Sequence, residues 1–570
     1  MISYTVTRLI RRCLYLVVLS PTAVLGFSRE YCNKDVSTRL RANESFPVNY
    51  FFGENGRDPD NPLLTRLGCE ALCGPQSYYP DIGPRMVSWL LPVFLLVWNI
   101  DVSPLDKWRY LEIFHVLGDP IDTLWSLQSK IEAWASCQRL AKRILTTSTR
   151  SRSFRGGSIF RIESSQSQDP PTHGPDPVPD PANSTSFTTA FTRDLGTVLA
   201  GMEEILKPHY NPWEELRLFL WPNVDSTQNQ EPVLAISESQ TKVIQATAIR
   251  LADIRADAIL RTAFSVALYV LQVLAAFITN FGGEYSSPPA GRIGTAMFLT
   301  FLVPIALLSN TIGSFATRRS CFHVIYDMVE ALNQVSGSQP AHSPLVNTLR
   351  HPDDYFKNQR WFGGSYLFRP DKYPSFITAS DKQKRSMLML SVAPIMISFG
   401  TATGILYLSP PNGFNCRGLM IVIMTAAYLL SPCLTALIWH SNKFAAKKKL
   451  WYIILAKDIL IGVPIIVMIF LSSAGQFNSC SCWSASYTRG KDAYIPLNTL
   501  AEFQWKDDYV FPWFVAVCLL LQGFSFGGML YVGRRGLRLM RWSEQDRQRK
   551  YSPAGPTRAL GRRLSNVLGI

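Results

Sequence analysis

Two charged residues stand side by side in one of the most apolar stretches of the chain. Lys457 and Asp458 lie in the sequence WYIILAKDILIGVPII. At the centre of a membrane helix either charge costs about 2.5 to 3.5 kcal/mol on insertion scales, which favours a protein-facing or water-filled setting. Neighbouring residues point about 100° apart on a helix, so the two need not pair with each other. The pattern predicts a substrate or ion path at Asp458, with Lys457 either in that path or extended to the interface.

Asn310 is a further polar residue in an apolar stretch and is included in the predicted path. An uncharged amide inside a membrane helix is, however, more typical of a hydrogen bond between helices than of a ligand site.

A second group of ionisable residues lies earlier in the chain. Asp119 and Asp122 belong to the sequence GDPID, and His115 precedes them. Carboxylates at this spacing resemble the start of a metal or diphosphate site. Ordinary helix capping explains them better, with Asp119 as the N-cap, Pro120 at the first helical position and Asp122 in the first turn. No metal ligand set and no catalytic residue is predicted from them.

Composition places the chain among multi-pass membrane proteins. Of 570 residues, 47% are hydrophobic and only 17% are charged, and the apolar residues form several long runs. The net charge of +15 is explained by basic residues that flank these runs on the cytosolic side, and no basic domain suited to nucleic acid stands apart. Signatures of ATP-driven transport, dinucleotide binding, zinc hydrolysis and serine hydrolysis are missing, so no cofactor is predicted.

The apolar runs predict an all-α protein with seven transmembrane helices. The predicted spans are 86–105, 261–281, 293–315, 386–408, 418–440, 450–473 and 510–532. Lys and Arg concentrate in alternate connections, which predicts an external amino-terminal segment and a basic cytosolic tail at 533–570. The first span is the weakest, because its strictly apolar core is shorter than the roughly 20 residues that a bilayer needs.

The amino-terminal region has the layout of a secretory protein. Residues 1–26 predict a signal peptide, cleaved or retained, and 27–85 then form an external segment. Asn43 begins an Asn-X-Ser sequence that is glycosylated only on the external side. Six cysteines are predicted on the external side, two of them in the loop 474–509. An oxidising compartment favours disulfide bonds among these cysteines. They are Cys32, Cys69, Cys73, Cys416, Cys480 and Cys482.

Cys480 and Cys482 are too close in sequence to favour a bond with each other. We therefore expect at least one of them to tie the loop to the amino-terminal segment or to Cys416. A multi-pass protein of the secretory pathway, with no retrieval signal at the carboxyl terminus, is expected in the plasma membrane rather than the endoplasmic reticulum.

Cytosolic regions account for most of the remaining sequence. Residues 106–260 are expected to contain amphipathic helices and a disordered linker at 146–190, and residues 317–385 form a second cytosolic loop. The apolar spacing from Ile121 to Leu145 and its basic end suggest a helix that lies on the cytosolic face against anionic lipid headgroups.

Three short sequences carry a resemblance to known proteins. CEALCG from Cys69, WLLPVFLLVWNI from Trp89 and HVLGDPIDTLWSL from His115 resemble uncharacterised multi-pass membrane proteins of filamentous fungi. That resemblance implies a fungal integral membrane protein and transfers no activity and no catalytic residue.

The sequence leaves three classes of function open. Proline-containing spans and charges in the sixth span favour the binding or transport of a small lipophilic metabolite. A membrane-embedded enzyme, such as a cyclase that uses acids in the bundle, is the alternative, with Asp458, Asp119 and Asp122 as its acids. A membrane scaffold for cytosolic partners is the third. Substrate and oligomeric state are not indicated.

Overall fold

The computed structural model describes most of the helical part of the chain. The described residues are 29–73, 93–97, 100, 109–154, 181–206, 211–221, 236–256, 259–277, 289–312, 314–315, 318–337, 343–350, 381–408, 414–440, 447–473, 479–484, 486–497 and 511–542. The predicted signal peptide (1–26), most of the first predicted span (86–105) and most of the basic tail (533–570) lie outside these residues.

Helices dominate the described residues, with four short strands. The helices are α1 (Arg29–Arg41), α2 (Arg66–Leu72), α3 (Arg109–Gly118), α4 (Pro120–Phe154), α5 (Pro181–Ile205), α6 (Pro212–Leu220), α7 (Glu238–Ile254), α8 (Ile259–Phe277), α9 (Pro289–Leu299), α10 (Leu302–Ile312), α11 (Arg318–Ser336), α12 (Pro344–Arg350), α13 (Asp381–Leu408), α14 (Cys416–His440), α15 (Lys447–Ser473), α16 (Cys480–Trp483), α17 (Ser486–Arg489) and α18 (Phe511–Leu539). The strands are β1 (Leu63–Thr65), β2 (Arg255–Ala256), β3 (Ser314–Phe315) and β4 (Tyr494–Pro496).

Five helical segments in the described residues are long and apolar enough to cross a membrane. They are Ile293–Ile312, Arg385–Leu408, Cys416–Ile438, Ile453–Ser472 and Trp513–Leu539. These correspond to five of the seven predicted spans, so the all-α membrane architecture is confirmed, whereas the number seven stays a prediction. In the second predicted span, 261–281, α8 contains only a shorter apolar segment, Thr262–Leu271.

The most enclosed of these segments, Ile293–Ile312, is 94% buried and is broken in the middle. It consists of α9 and α10, which are separated at Thr300 and Phe301. Pro304 has no N–H to bond the carbonyl of Thr300, and its ring clashes with a regular turn there. Val303 N instead donates to Thr300 O at 3.0 Å. The prolines of α13, α14 and α15 lie inside continuous helices.

A small disulfide-bonded unit covers one end of the bundle. In it β1 pairs antiparallel with β4, and Leu64 faces Ile495 across the pair. Three disulfides join Cys32 to Cys73, Cys69 to Cys480 and Cys416 to Cys482, with Cα–Cα distances of 5.1, 5.8 and 5.1 Å. The loop after α15 is thus tied both to the amino-terminal segment and to the start of α14. We call this the disulfide end of the bundle.

The opposite, basic end is where α15 begins and α18 ends. There α5 packs against α4 and α7, and α7 packs against α11. Arg541, just after α18, donates to Asp194 of α5 at 2.6 Å. Helices enter both ends of the segment predicted as a disordered linker (146–190), because α4 continues to Phe154 and α5 begins at Pro181; residues 155–180 lie outside the described part.

Candidate functional site

The break between α3 and α4 places Asp119 at the start of a helix. Asp122 N donates to Asp119 Oδ1 at 3.0 Å, as in a capped helix, and Pro120 follows Asp119 at the first helical position. The capping interpretation of the GDPID sequence is therefore confirmed. Only one carboxylate oxygen of Asp119 is used by the cap, however, and the other is available to a different helix.

That helix is α15, which lies unusually close to α3. Gly118 has no side chain at the contact, and a Cβ there would meet the backbone oxygen of Asp458 and lie 3.0 Å from its Cα. One turn away, a Cβ at Gly462 would lie 3.0 Å from Phe114 O. Gly118 thus lies opposite Asp458, and Phe114 lies opposite Gly462. The two helices therefore run antiparallel. Glycine at both positions permits this backbone approach.

Lys457 binds Asp119 through this contact. Its Nζ lies 2.6 Å from Asp119 Oδ2 and 2.9 Å from Asp458 Oδ1. The ammonium also donates to two hydroxyls of α14, Ser431 Oγ and Thr435 Oγ1, each at 2.7 Å. Ser431 Oγ donates in turn to Asp119 Oδ2 at 2.6 Å. The ammonium is therefore paired and hydrogen-bonded inside the protein, and it does not extend to the interface.

His115 connects the remaining carboxylates. Its Nδ1 lies 2.7 Å from Asp458 Oδ2, and its Nε2 lies 3.6 Å from Asp122 Oδ2. Five ionisable side chains, His115, Asp119, Asp122, Lys457 and Asp458, thus form one group, which we call the ionic cluster. None of them is more than 7% exposed.

The position of the ionic cluster is close to the middle of α15. Asp458 lies eleven residues after Lys447, the first residue of α15, and fifteen before Ser473, the last, which correspond to about 17 and about 22 Å along the helix axis. Within Ile453–Ser472, the part of α15 apolar enough to cross a membrane, Asp458 lies about 8 Å from the basic-end side and about 21 Å from the other. The cluster thus lies inside the apolar segment, where unpaired charge is costly.

The charges of the cluster do not balance when every group is ionised. Three carboxylates face one ammonium and one imidazole, which gives a net charge of −1 even with His115 protonated. Buried charge that has no counterion is strongly unfavourable, and such groups take up a proton instead. The arrangement can therefore hold one more proton than its ion pairs alone require, shared between coupled sites.

The path of α3 and α4 differs from the cytosolic-face position expected from the sequence. Beyond the cluster, α4 runs toward the basic end, where Ile131 contacts Gly536 and Trp134 packs edge-to-face on Trp542 at 4.3 Å. The first turns of α4 are buried on every side, with Ile121 and Leu124 at most 1% exposed. Turns with no exposed face lie inside the bundle and not in an interface, whereas Arg139, Lys142 and Arg143 at the basic end of α4 are exposed.

The sequence named only part of this site. Lys457 and Asp458 were candidates for the path, and the structure places both in the cluster and in contact with each other. Asn310 donates instead to the carbonyl of Ala306 in its own helix at 2.8 Å. Ser431 and Thr435 were not recognised; their only signal is two hydroxyls four residues apart, on one helical face, in an apolar span.

The described residues hold no group of three or more His, Cys, Asp or Glu side chains arranged to bind a metal ion. Within the ionic cluster the space between Asp119 and Asp458 is taken by the ammonium of Lys457, which contacts both carboxylates.

The predicted external site residues gather at the disulfide end. All six candidate cysteines take part in the three disulfides. Asn43 follows α1 in an exposed turn with a φ of 57°, a left-handed conformation that asparagine adopts more readily than most residues. Comparison with known proteins finds no matching family model, no matching curated protein and no matching solved structure.

Proposed function

We propose that this chain is a membrane transporter for a small, lipophilic metabolite and that the ionic cluster is its proton-binding site. The observation that carries the proposal is the cluster itself: five buried ionisable groups with one carboxylate in excess, at the point where two helices break and meet a third. When a proton enters or leaves such a cluster, the charge of one member changes. The ion pairs among the members then rearrange.

The break in the chain at Asp119 supports a moving part. Discontinuous helices near the bilayer centre are typical of transporter sites, because the broken backbone lets one half reorient against the other. In this chain α3 and α4 meet at Gly118, Asp119 and Pro120, and Asp119 is held by the Lys457 ammonium of α15. Weakening that ion pair by protonation would release α4 from α15.

The surroundings of the cluster favour a lipophilic cargo over a charged one. Every charge of the cluster has an opposite charge or a hydrogen-bond partner within the protein. One turn from Ser431 on the same helix, Tyr428 is fully buried and packs against Phe298 and Phe301, with ring centroids 6.2 and 5.4 Å apart. Aromatic surfaces bind apolar molecules, and the charged groups of the cluster are engaged with one another and with the hydroxyls of α14, which supports an apolar cargo.

The proposed location is the plasma membrane, with the disulfide end outside. Disulfides persist in oxidising compartments, which supports that orientation, and the Lys and Arg residues at the other end suit the cytosolic face.

Metabolite profiling of cells and medium, separately, tests the proposal. Three strains are compared: one with the native chain, one without it and one with Asp458→Asn. We expect one compound to shift between cells and medium, chemically unchanged, in both altered strains. The matched control is Asp327→Asn, which removes a carboxylate from a half-exposed ion pair with Arg250.

Two outcomes contradict transport. Accumulation of a new precursor in both altered strains would make the chain an enzyme. An unchanged metabolite profile in both would make Asp458 structural and favour the scaffold hypothesis. The membrane level of the Asp458→Asn chain is measured first, and Asp122→Asn, at the edge of the cluster, replaces it if that level falls.

A further inference from the structure

One face of α4 carries polar side chains from the ionic cluster to the basic end. Asp122, Ser126, Ser129 and Ser136 are at most 7% exposed. At 3.6 residues per turn, these four positions fall within a sector of roughly 80°. The only other residue of that sector between Ser129 and Ser136 is Ala133, whose side chain is small. We call Ser126, Ser129 and Ser136 the serine stripe.

The described residues do not satisfy the first hydroxyl of the serine stripe. Ser126 is 0% exposed, and its Oγ has no hydrogen-bond partner among them. Buried hydroxyls are nearly always hydrogen-bonded, and where protein supplies no partner a water molecule commonly does. Ser126 lies one turn after Asp122 on the same face, so its hydroxyl is placed to bridge that carboxyl group to the next hydroxyl.

The far end of the stripe reaches solvent. Arg139 Nη2 donates to Ser136 Oγ at 2.7 Å and also binds Glu132, and the Arg139 side chain is half exposed. Asp122 and Ser136 are fourteen residues apart, about 21 Å along the helix. That length exceeds the roughly 8 Å between Asp458 and the basic-end side of the apolar segment Ile453–Ser472, so the stripe connects the cluster with the surface of the basic end.

We propose that the serine stripe is the route by which the ionic cluster exchanges its proton with the compartment at the basic end. This inference rests on the proposed proton-binding function. A proton enters near Glu132 and Arg139, passes between the hydroxyls and bridging water, and protonates the carboxylate of Asp122; release reverses the same steps. Only O–H bonds form and break, and each hydroxyl regains the proton that it passes on.

Protonation of Asp122 would change its electrostatic interactions with the charged groups around it. His115 faces it from α3, Lys457 and Asp458 belong to α15, and Asp119 precedes it on α4 itself. α14 adds the hydroxyls of Ser431 and Thr435 through Asp119. Nearer the basic end, Lys130 of α4 lies 3.7 Å from Glu204 of α5.

Carbodiimide labelling of Asp122 in sealed vesicles tests the route. Dicyclohexylcarbodiimide crosses membranes and modifies protonated carboxyl groups, and mass spectrometry locates the modified residue. The full-length protein is reconstituted in one orientation, and only one side of the vesicle is acidified. We expect labelling of Asp122 to rise when the basic-end side is acidified and to stay low when only the disulfide-end side is.

Variants of the stripe separate a route from a structural role. Ser126→Ala combined with Ser129→Ala removes two hydroxyls without adding bulk, and we expect the response to basic-end acidification to slow several-fold. Ser126→Thr with Ser129→Thr restores both hydroxyls and should recover it. The control is Ser309→Ala in α10, where a buried hydroxyl donates to the carbonyl of Ala306 and accepts from the Asn310 amide, away from the stripe. This variant should respond like the native chain.

The possible failures are distinct. Labelling that follows the disulfide-end pH, or a serine double variant as fast as the native chain, overturns the route and leaves the proton site intact. Labelling that ignores the pH on both sides overturns proton binding by the cluster, and the proposed function with it.

Discussion

The imidazole of His115 lies 2.7 Å from the carboxylate of Asp458, a residue 343 positions later in the chain. The contact exists because Gly118 and Gly462 let α3 and α15 approach at their backbones. A side chain at either glycine would separate the helices and with them the two halves of the ionic cluster. Close helix packing and buried charge pairing are therefore one feature in this protein.

Removing the ammonium of the cluster should destabilise the fold strongly. Lys457→Met leaves Asp119 and Asp458 buried without their cation, and breaking a buried pair from one side costs about 3 to 5 kcal/mol. The free energy of unfolding in mixed micelles is the measurement. Lys457→Met combined with Asp119→Asn removes opposite charges together, so the double variant should lose clearly less free energy of unfolding than Lys457→Met alone. Equal losses in the two variants would show that the Lys457–Asp119 pair is not formed.

A methyl group at the helix contact should also destabilise the protein. Gly118→Ala places a Cβ against the backbone of Asp458, which cannot move as a flexible side chain would. We expect a lower melting temperature in detergent. Gly400→Ala in α13 is the control, because nothing lies within 4 Å of its Cβ position and alanine favours a helix over glycine. A Gly118→Ala protein as stable as the control would contradict the contact.

The two roles of Asp119 can be separated by a pair of substitutions. Asp119→Asn and Asp119→Ala both remove the negative charge that pairs with Lys457, but asparagine still caps α4. We therefore expect Asp119→Ala to be less stable than Asp119→Asn by about 1 kcal/mol, the usual contribution of an N-cap. Chemical unfolding of both variants under the same conditions measures the difference. Identical stabilities would show that the N-cap at Asp119 does not stabilise the protein.

The disulfide pairing can be mapped directly. Non-reducing digestion and mass spectrometry should yield linked peptides that contain Cys32 with Cys73, Cys69 with Cys480 and Cys416 with Cys482. Changing both Cys69 and Cys480 to serine should leave the other two links unchanged. A linked peptide that joins Cys32 to Cys480 would contradict the arrangement of the disulfide end.

Glycosylation tests the orientation in the membrane. Asn43 is exposed at the disulfide end. Endoglycosidase treatment should therefore lower the apparent mass of the native chain and leave the apparent mass of the Asn43→Gln variant unchanged. Asn183 also begins an Asn-X-Thr sequence but belongs to α5 at the basic end, and Asn183→Gln should still shift. A shift that depends on Asn183 would place the basic end outside the cytosol.

The sequence by itself determined the elements that depend on neighbouring residues. Apolar runs defined the five long helical segments, because a bilayer requires a length of apolar helix that can be counted from the chain. Capping at Asp119 followed from local chemistry. Six cysteines could be assigned to one side, and the closeness of Cys480 to Cys482 disfavoured a bond between them. Composition does not select partners among the cysteines.

Only the tertiary structure decided what the charged residues do. His115, Asp122, Ser431 and Asp458 come from four helices and meet because α3 breaks at Asp119 and crosses α15 at Gly118. The sequence signal of a helix break is the same whether the next helix lies on the surface or enters the bundle. For this reason α4 was expected at the interface. Burial is a property of the neighbours that a helix finds, and those neighbours lie hundreds of residues away.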